Sequence, residues 1–310
     1  DEVSMAPIPA LWAVATLVER AIVVVGDFLQ LPPIVQSEEA LAKKWLGRDA
    51  FEVHGLAGAW ERKDPLPSYV VELKEQHRMH PAISAIVNTL VYRDDLRDGA
   101  TVSRPDADRN LRAWLAQDSR WENPVVLIDT SRFGGWNTTK DRSRCNPLSA
   151  MLAAETVNRM LVKERPPVTD GYPRILVISP YRPHAKLLQV MFKDDGVEAE
   201  VLANTVHSFQ GSEADAVILD LVVDNPHWRT NITNPIANPE IRRLMNVALS
   251  RARRRLVVIG NFDWLRERGA TSFVGNELLS WLKEHHPLLP AQQSVSVDRT
   301  LLATGELEPQ

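Results

Sequence analysis

Cysteine is nearly missing from this chain: of 310 residues only Cys145 is one. No intramolecular disulfide can form, and zinc frameworks built on several cysteines are excluded. No apolar run approaches the ~20 residues that a membrane-spanning helix needs, so no membrane partner is expected. The acidic start Asp1-Glu2 lacks the basic-then-apolar order of a secretory signal, and a cytoplasmic location is the natural expectation. A net charge of −4 removes any global basic field but leaves a local basic groove open. No G-x-x-x-x-G-K-[ST] phosphate-binding loop occurs, and there is no internal repeat or low-complexity tract. What remains is an ordinary globular composition, 44% hydrophobic and 25% charged, long enough for one large domain or two of usual size.

Five short Val- and Ile-rich runs have strand length: Ala21–Val25, Val125–Asp129, Ile175–Ser179, Ala216–Val222 and Leu256–Gly260. They show little polar alternation, as strands covered on both faces do. Helical patterns lie between them. Pro81 opens one whose Ile83, Ile86, Val87 and Leu90 share a face; Asn146-Pro147 caps a second; Pro183 precedes a third. Alternating strands and helices predict an α/β fold with a mostly parallel sheet, in which ligands bind beyond the carboxyl ends of the strands. Two motifs are expected there: GDFLQLPP after the first strand and SPYRP after the third. Asn225–Glu240, dense in Asn and Pro, reads as a loop.

In Gly26-Asp27-Phe28-Leu29-Gln30-Leu31-Pro32-Pro33 the glycine permits a tight turn off the strand and the prolines stiffen the exit. A bland turn would use the same Gly and Pro but has no need of Asp27 and Gln30 together. GDFLQLPP resembles motif III of superfamily 1 helicases, in the branch of the nonsense-mediated-decay helicase and DNA2/NAM7. Leu73–Ile83 (LKEQHRMHPAI) resembles their motif IV, Asn204–Leu219 (NTVHSFQGSEADAVIL) motif V and Asn246–Arg253 (NVALSRAR) motif VI. Four motifs in the family's order make coincidence an unattractive account.

The resemblance implies two RecA-like P-loop NTPase pieces, the first incomplete. Residues 1–73 would be the remnant of the first domain and residues 74–287 the second, with residues 288–310 a flexible tail. It implies ATP and Mg²⁺ as cofactors and single-stranded DNA or RNA as partner, with hydrolysis between the domains driving steps along the strand. By the same resemblance Asp1 holds Mg²⁺ and Glu2 polarises the attacking water. Gln30 orients that water or senses phosphate. Arg78 and Arg251 stabilise charge developing on the transferred phosphoryl group, a task suited to a planar, permanently charged fork. Asp27, Gln210, Gly211 and Glu213 line the nucleotide, and Thr205 meets a strand phosphate. Arg254 is expected on a solvated basic face near a helix end, while for Arg255 that reading and a functional one stay open.

The chain departs from the family in lacking the phosphate loop, which lies upstream of the carboxylate pair in relatives. The expectation is that the N-terminal half of the same polypeptide is missing and that the 310 residues alone are inactive. The rival reading is a nucleic-acid-binding or interaction module with degenerate, non-hydrolysing ATPase features; a metabolic P-loop kinase does not account for motifs IV to VI. His77, Val3 and Ser212 also differ from the commoner residues. His77 and His80 have metal-pair spacing, but with one cysteine and Pro81 adjacent no metal site is expected. Trp136 and Trp228, in loop-like sequence, fit base stacking or ordinary anchoring.

Overall fold

The computed structural model describes residues 1–103, 123–133, 143–161, 175–223, 240–268 and 272–290, with the backbone alone for 138–140. The chain divides into two compact units, Asp1–Lys74 and Glu75–Gln310.

The first unit holds helices α1 (Ile8–Ala15), α2 (Ala40–Leu46) and α3 (Leu56–Arg62), with a single helical turn at Ala50–Val53 between the last two. The expected strand Ala21–Val25 is extended but belongs to no sheet. No residue of 1–74 pairs with it in a sheet, and Val23 is 85% exposed. One backbone bond anchors its end, from the Val3 amide to the Val25 carbonyl at 2.9 Å.

The second unit is built on six parallel strands: β1 (Val125–Asp129), β2 (Ile175–Ser179), β3 (Val201–Thr205), β4 (Ala214–Asp220), β5 (Ala252–Gly260) and β6 (Leu288–Pro290). Their order across the sheet is β6-β1-β5-β4-β2-β3. Helices α4 (Pro81–Leu90), α5 (Pro147–Arg159), α6 (Arg182–Asp194), α7 (Ile241–Ser250), α8 (Phe262–Arg268) and α9 (Leu279–His285) surround it. Two of the starts have a clear local cause. His80 caps α4, its Nδ1 accepting from the Ala82 amide, and Asn146 caps α5 by accepting from the Ser149 amide; a proline follows each cap. On one face of the sheet Val126, Val177, Ile218 and Val257 pack with Leu148 and Leu152 of α5 and Leu188 and Phe192 of α6. Helices α4 and α7 contact β5 as well. Every residue of β2 and β4 is buried, which is why their sequences read as continuous apolar runs.

Several boundaries differ from the sequence reading. Strand β5 begins four residues early, at Ala252, so Arg254 and Arg255 lie on a strand. Arg255 is fully buried, and Arg254 sits 3.5 Å from the buried carboxylate of Asp215; the solvated basic face is therefore corrected. Leu288–Pro290, placed in the tail, instead pair with β1, because Leu288 and Leu289 add apolar edge surface. Strand β3 had no counterpart in the sequence reading. The loop at 225–240 lies almost wholly outside the described residues, as do Trp136 and Trp228. No helix among the described residues is long and apolar enough to cross a membrane.

Candidate functional site

In the first unit, the segment carrying Asp1 and Glu2 runs beside Gly26. A β-carbon on Gly26 would lie 2.9 Å from the Val3 amide nitrogen, so only glycine allows the two backbones to approach this closely. Beyond it Asp27 organises its own turn. Its Oδ1 accepts from the Leu29 amide at 2.9 Å and its Oδ2 from the Gln30 side-chain amide at 3.0 Å. Phe28 anchors the turn edge-on against Phe51 and Trp60. Asp27 and Gln30 thus act on each other in this state. Asp1 is exposed, and its Oδ1 accepts the Glu2 amide. One exposed carboxylate suits Mg²⁺, which prefers hard oxygen donors and is commonly held by one or two carboxylates, waters and substrate phosphates. Among the described residues no group of three His, Cys, Asp or Glu side chains is placed to hold a metal ion.

In the second unit, motifs IV, V and VI meet. Gln76 shapes the approach to α4: its Oε1 accepts from the amides of Arg78 and Met79, and its Nε2 donates to the Met79 carbonyl. The His80 amide then donates to the Arg253 carbonyl at 2.7 Å, which pins this turn to the start of β5. Gln76 was not among the sequence candidates; its position two residues before Arg78 is the only hint. So placed, Arg78 donates from Nε to Glu213 Oε2 at 2.5 Å and reaches toward the Ser250 carbonyl at 3.4 Å. Arg253 approaches the other oxygen of Glu213 at 3.3 Å. Arg78 keeps 37% of its side chain exposed, Glu213 only 16%.

Arg251 behaves differently. It is 1% exposed, and its guanidinium donates to the carbonyls of Val247 and Ser212 and to Ser250 Oγ at 3.0–3.1 Å. Motif VI is therefore brought to the cluster, but the Arg251 side chain is turned inward onto the Val247 and Ser212 carbonyls and the Ser250 hydroxyl. Gly211, at φ 78°, makes the turn after Gln210 that delivers Ser212 and Glu213 to this place; a β-carbon is disfavoured there.

The register fixes where these groups lie. Ala214 pairs with Ala252 at the first rung of β4 and β5, and the Ala214 amide donates to the Arg251 carbonyl. Arg78, Glu213, Arg251 and Arg253 thus gather at the amino-terminal end of the sheet, contrary to the expectation that the chemistry-bearing groups all follow strands. The reason is chain order: Glu213 and Arg251 come just before β4 and β5, and Arg253 is the second residue of β5. Thr205 ends β3 level with Ser179, at the opposite, carboxyl end. Its hydroxyl lies 3.5 Å from Ser208 Oγ.

The carboxyl end also holds a buried network that the sequence reading missed. Asp220 Oδ2 meets His184 Nε2 at 2.8 Å, and its Oδ1 accepts from the Val222 amide and from Ser149 Oγ. Asn146 donates its side-chain amide to the Val222 carbonyl. Val222 adopts φ 68°, a left-handed conformation unfavourable for a β-branched residue, and the bonds to its amide and its carbonyl hold that turn. Burial alone would depress the His184 imidazole, but the charge and hydrogen bond of Asp220, with a smaller contribution from Cys145, raise it to about 9. The Asn146 backbone amide donates to Nδ1 at 3.3 Å, a contact that an unprotonated Nδ1 accepts. Nearby, burial pushes the Tyr181 phenol up, against the pull of Arg144, whose guanidinium lies 5.7 Å from the tyrosine ring.

A family described as an AAA domain matches residues 56–263, two thirds of the chain. Among curated relatives, the DNA replication ATP-dependent helicase/nuclease DNA2 of Xenopus laevis is 29% identical over 256 residues, covering 77% of this chain and 22% of its own length. The DNA replication ATP-dependent helicase/nuclease JHS1 of Arabidopsis thaliana is 27% identical, over 77% of this chain and 17% of its own length. A regulator of nonsense transcripts 1 homolog, also from Arabidopsis thaliana, is 28% identical over 300 residues, 93% of this chain and 21% of its own. The chain therefore spans about a fifth of the length of these relatives.

Proposed function

Because the chain belongs to the AAA-domain family, in the DNA2/NAM7-like branch of superfamily 1 helicases, we propose that it is the motor portion of an ATP-dependent helicase or translocase on single-stranded DNA or RNA. The observation that carries this reading is the meeting of Arg78, Glu213, Arg251 and Arg253, contributed by three sequence-distant motifs, at one end of a single parallel sheet. Phosphoryl transfer leaves the protein little covalent chemistry to do; it requires cations held where charge develops. This cluster supplies them on a rigid frame.

In the proposed cycle, Arg78 and Arg251 act on the transferred phosphoryl group, while Gln210, Gly211 and Glu213 line the nucleotide. Asp1 would hold Mg²⁺, and Glu2 and Gln30 would orient the attacking water. Mg²⁺ would neutralise phosphate charge when bound. Thr205, at the other end of the sheet, would grip a strand phosphate. Residues 1–73 are assigned to a first RecA-like domain and the sheet-bearing unit to the second. Nucleotide-dependent changes in their affinity for the strand would drive stepping.

Without a phosphate loop, the 310-residue chain alone should not turn ATP over; joined downstream of a phosphate-loop-bearing segment, it should hydrolyse ATP in response to single strands. Phosphate release from both proteins, with and without oligonucleotide, tests this. Strand-stimulated turnover by the 310 residues alone defeats the argument about the loop. No turnover in the joined protein favours the rival, a binding module that does not hydrolyse.

A further inference from the structure

Glu213 presents one carboxylate to two guanidiniums, Arg78 at 2.5 Å on Oε2 and Arg253 at 3.3 Å on Oε1. It is the more buried partner of both pairs. Two arginines brought this close repel unless an anion lies between them, and the carboxylate takes one contact from each guanidinium, as a phosphate could. We propose that Glu213 is an intramolecular stand-in for polyphosphate: it occupies Arg78 while the site lacks nucleotide, and the condensed phosphate of a nucleoside triphosphate displaces it. This inference rests on the nucleotide-site reading above and deepens it, since Glu213 there only lines the nucleotide.

The neighbouring bonds give the displacement a consequence. Ser212, adjacent to Glu213, holds Arg251 inward through its carbonyl. Arg78 itself reaches toward the carbonyl of Ser250, whose Oγ is another acceptor for Arg251. A phosphate that takes Arg78 from Glu213 therefore loosens the segment that stows Arg251. Arg251 becomes available only once polyphosphate is present, so the barrier-lowering cation is withheld from an empty site. The arrangement costs affinity, because polyphosphate must compete with a carboxylate already in place.

The test is calorimetric titration of the 310-residue chain with linear tripolyphosphate and with ATP, using the unaltered protein, Glu213→Gln, Glu213→Asp and the double variant Glu213→Gln/Arg78→Ala. Removing the competing charge should tighten tripolyphosphate binding about tenfold for Glu213→Gln, by roughly the strength of one charge-assisted contact. Glu213→Asp keeps the charge and should stay near the unaltered protein, and the double variant should lose the gain. Thermal melts of each variant verify that it is folded, and tripolyphosphate should raise the midpoint of Glu213→Gln more than that of the unaltered chain. Unchanged tripolyphosphate affinity in Glu213→Gln with weakened ATP binding would make Glu213 a ribose ligand; the stand-in role would fall while the nucleotide site survived. An equal gain in Glu213→Asp, or a gain that persists without Arg78, would also overturn it. Failure of every variant to bind tripolyphosphate would overturn the stand-in role, while the nucleotide site would still be decided by turnover of the joined protein.

Discussion

Arg78 and Glu213, 135 positions apart in sequence, share a hydrogen bond of 2.5 Å at the amino-terminal end of the β4–β5 pair. That contact joins motif IV to motif V, and the Arg251–Ser212 bond joins motif V to motif VI. The two arginines assigned to phosphoryl transfer differ in state: one is part-exposed on a carboxylate, the other stowed on carbonyls.

Arg251→Ala should therefore have two effects. In the protein joined to a phosphate loop, turnover should drop by roughly 10³-fold or more, as for other arginine fingers, with single-strand binding retained. The melting midpoint should fall as well, because a buried guanidinium with three acceptors is removed, at a cost of about 2–3 kcal/mol. Arg254→Ala should leave turnover within a few fold but still lower stability by about 1 kcal/mol, since Arg254 lies beside the buried carboxylate of Asp215. Equal turnover losses in both variants would refute the assignment of Arg251.

Gly26→Ala tests the approach of the Asp1–Glu2 segment to the Asp27 turn. The added β-carbon meets backbone nitrogen of Val3 and cannot be accommodated by a side-chain rotation. Thermal unfolding should show a loss of about 1–3 kcal/mol, and the Val3 amide, now bonded to Val25, should exchange with deuterium faster. An unchanged melt with unchanged exchange at Val3 would mean that the two backbones do not touch.

The His184–Asp220 pair makes stability depend on pH. The folded-state value of about 9 lies above the ordinary imidazole value of ~6.5. A raised folded pKa stabilises fully below the unfolded value and loses that contribution as pH rises through the folded one. Denaturant midpoints should thus decline between about pH 6.5 and pH 9, with a change on the order of 3 kcal/mol. Asp220→Asn should flatten the decline. A profile that rises over this range would show that the ring is buried neutral.

Much of this frame was legible because its signals are local. Pro81 and Asn146-Pro147 mark helix starts through their own backbone chemistry, and Val125–Asp129 and Ile175–Ser179 are apolar throughout because both faces are covered. Strand β3 escaped notice because it lies at the sheet's edge, where exposed Leu202 and half-buried Asn204 and Thr205 break the apolar run. Arg251 was recognisable by its motif, but its inward turn depends on carbonyls at 212 and 247 that no spacing reveals. The Asp220 network is of the same kind: Ser149, His184 and Asp220 are far apart along the chain and meet only once β4, α5 and α6 have packed. For Arg255 the sequence left a solvated and a functional reading open, and the early start of β5 placed it in the core.

Thr205 provides the last prediction, on the side of the sheet away from the arginine cluster. Its hydroxyl is close to that of Ser208 at the carboxyl end of β3, and hydroxyls and amides grip a strand by its phosphates without reading bases. Single-strand binding by the joined protein should accordingly weaken steeply and linearly in log–log form with salt, with a slope set by the number of phosphates contacted. Affinities for unrelated sequences should agree within a few fold. Thr205→Ala should reduce affinity about three- to tenfold by the same factor on every sequence, the cost of one hydrogen bond, while leaving tripolyphosphate binding at the arginine cluster unchanged. Fluorescence anisotropy with several labelled oligonucleotides, over a range of salt concentrations, measures both quantities. A preference of tenfold or more for one sequence that persists at high salt would place recognition on the bases instead. A Thr205→Ala loss seen equally with tripolyphosphate would mean that the two ends of the sheet are not separate sites.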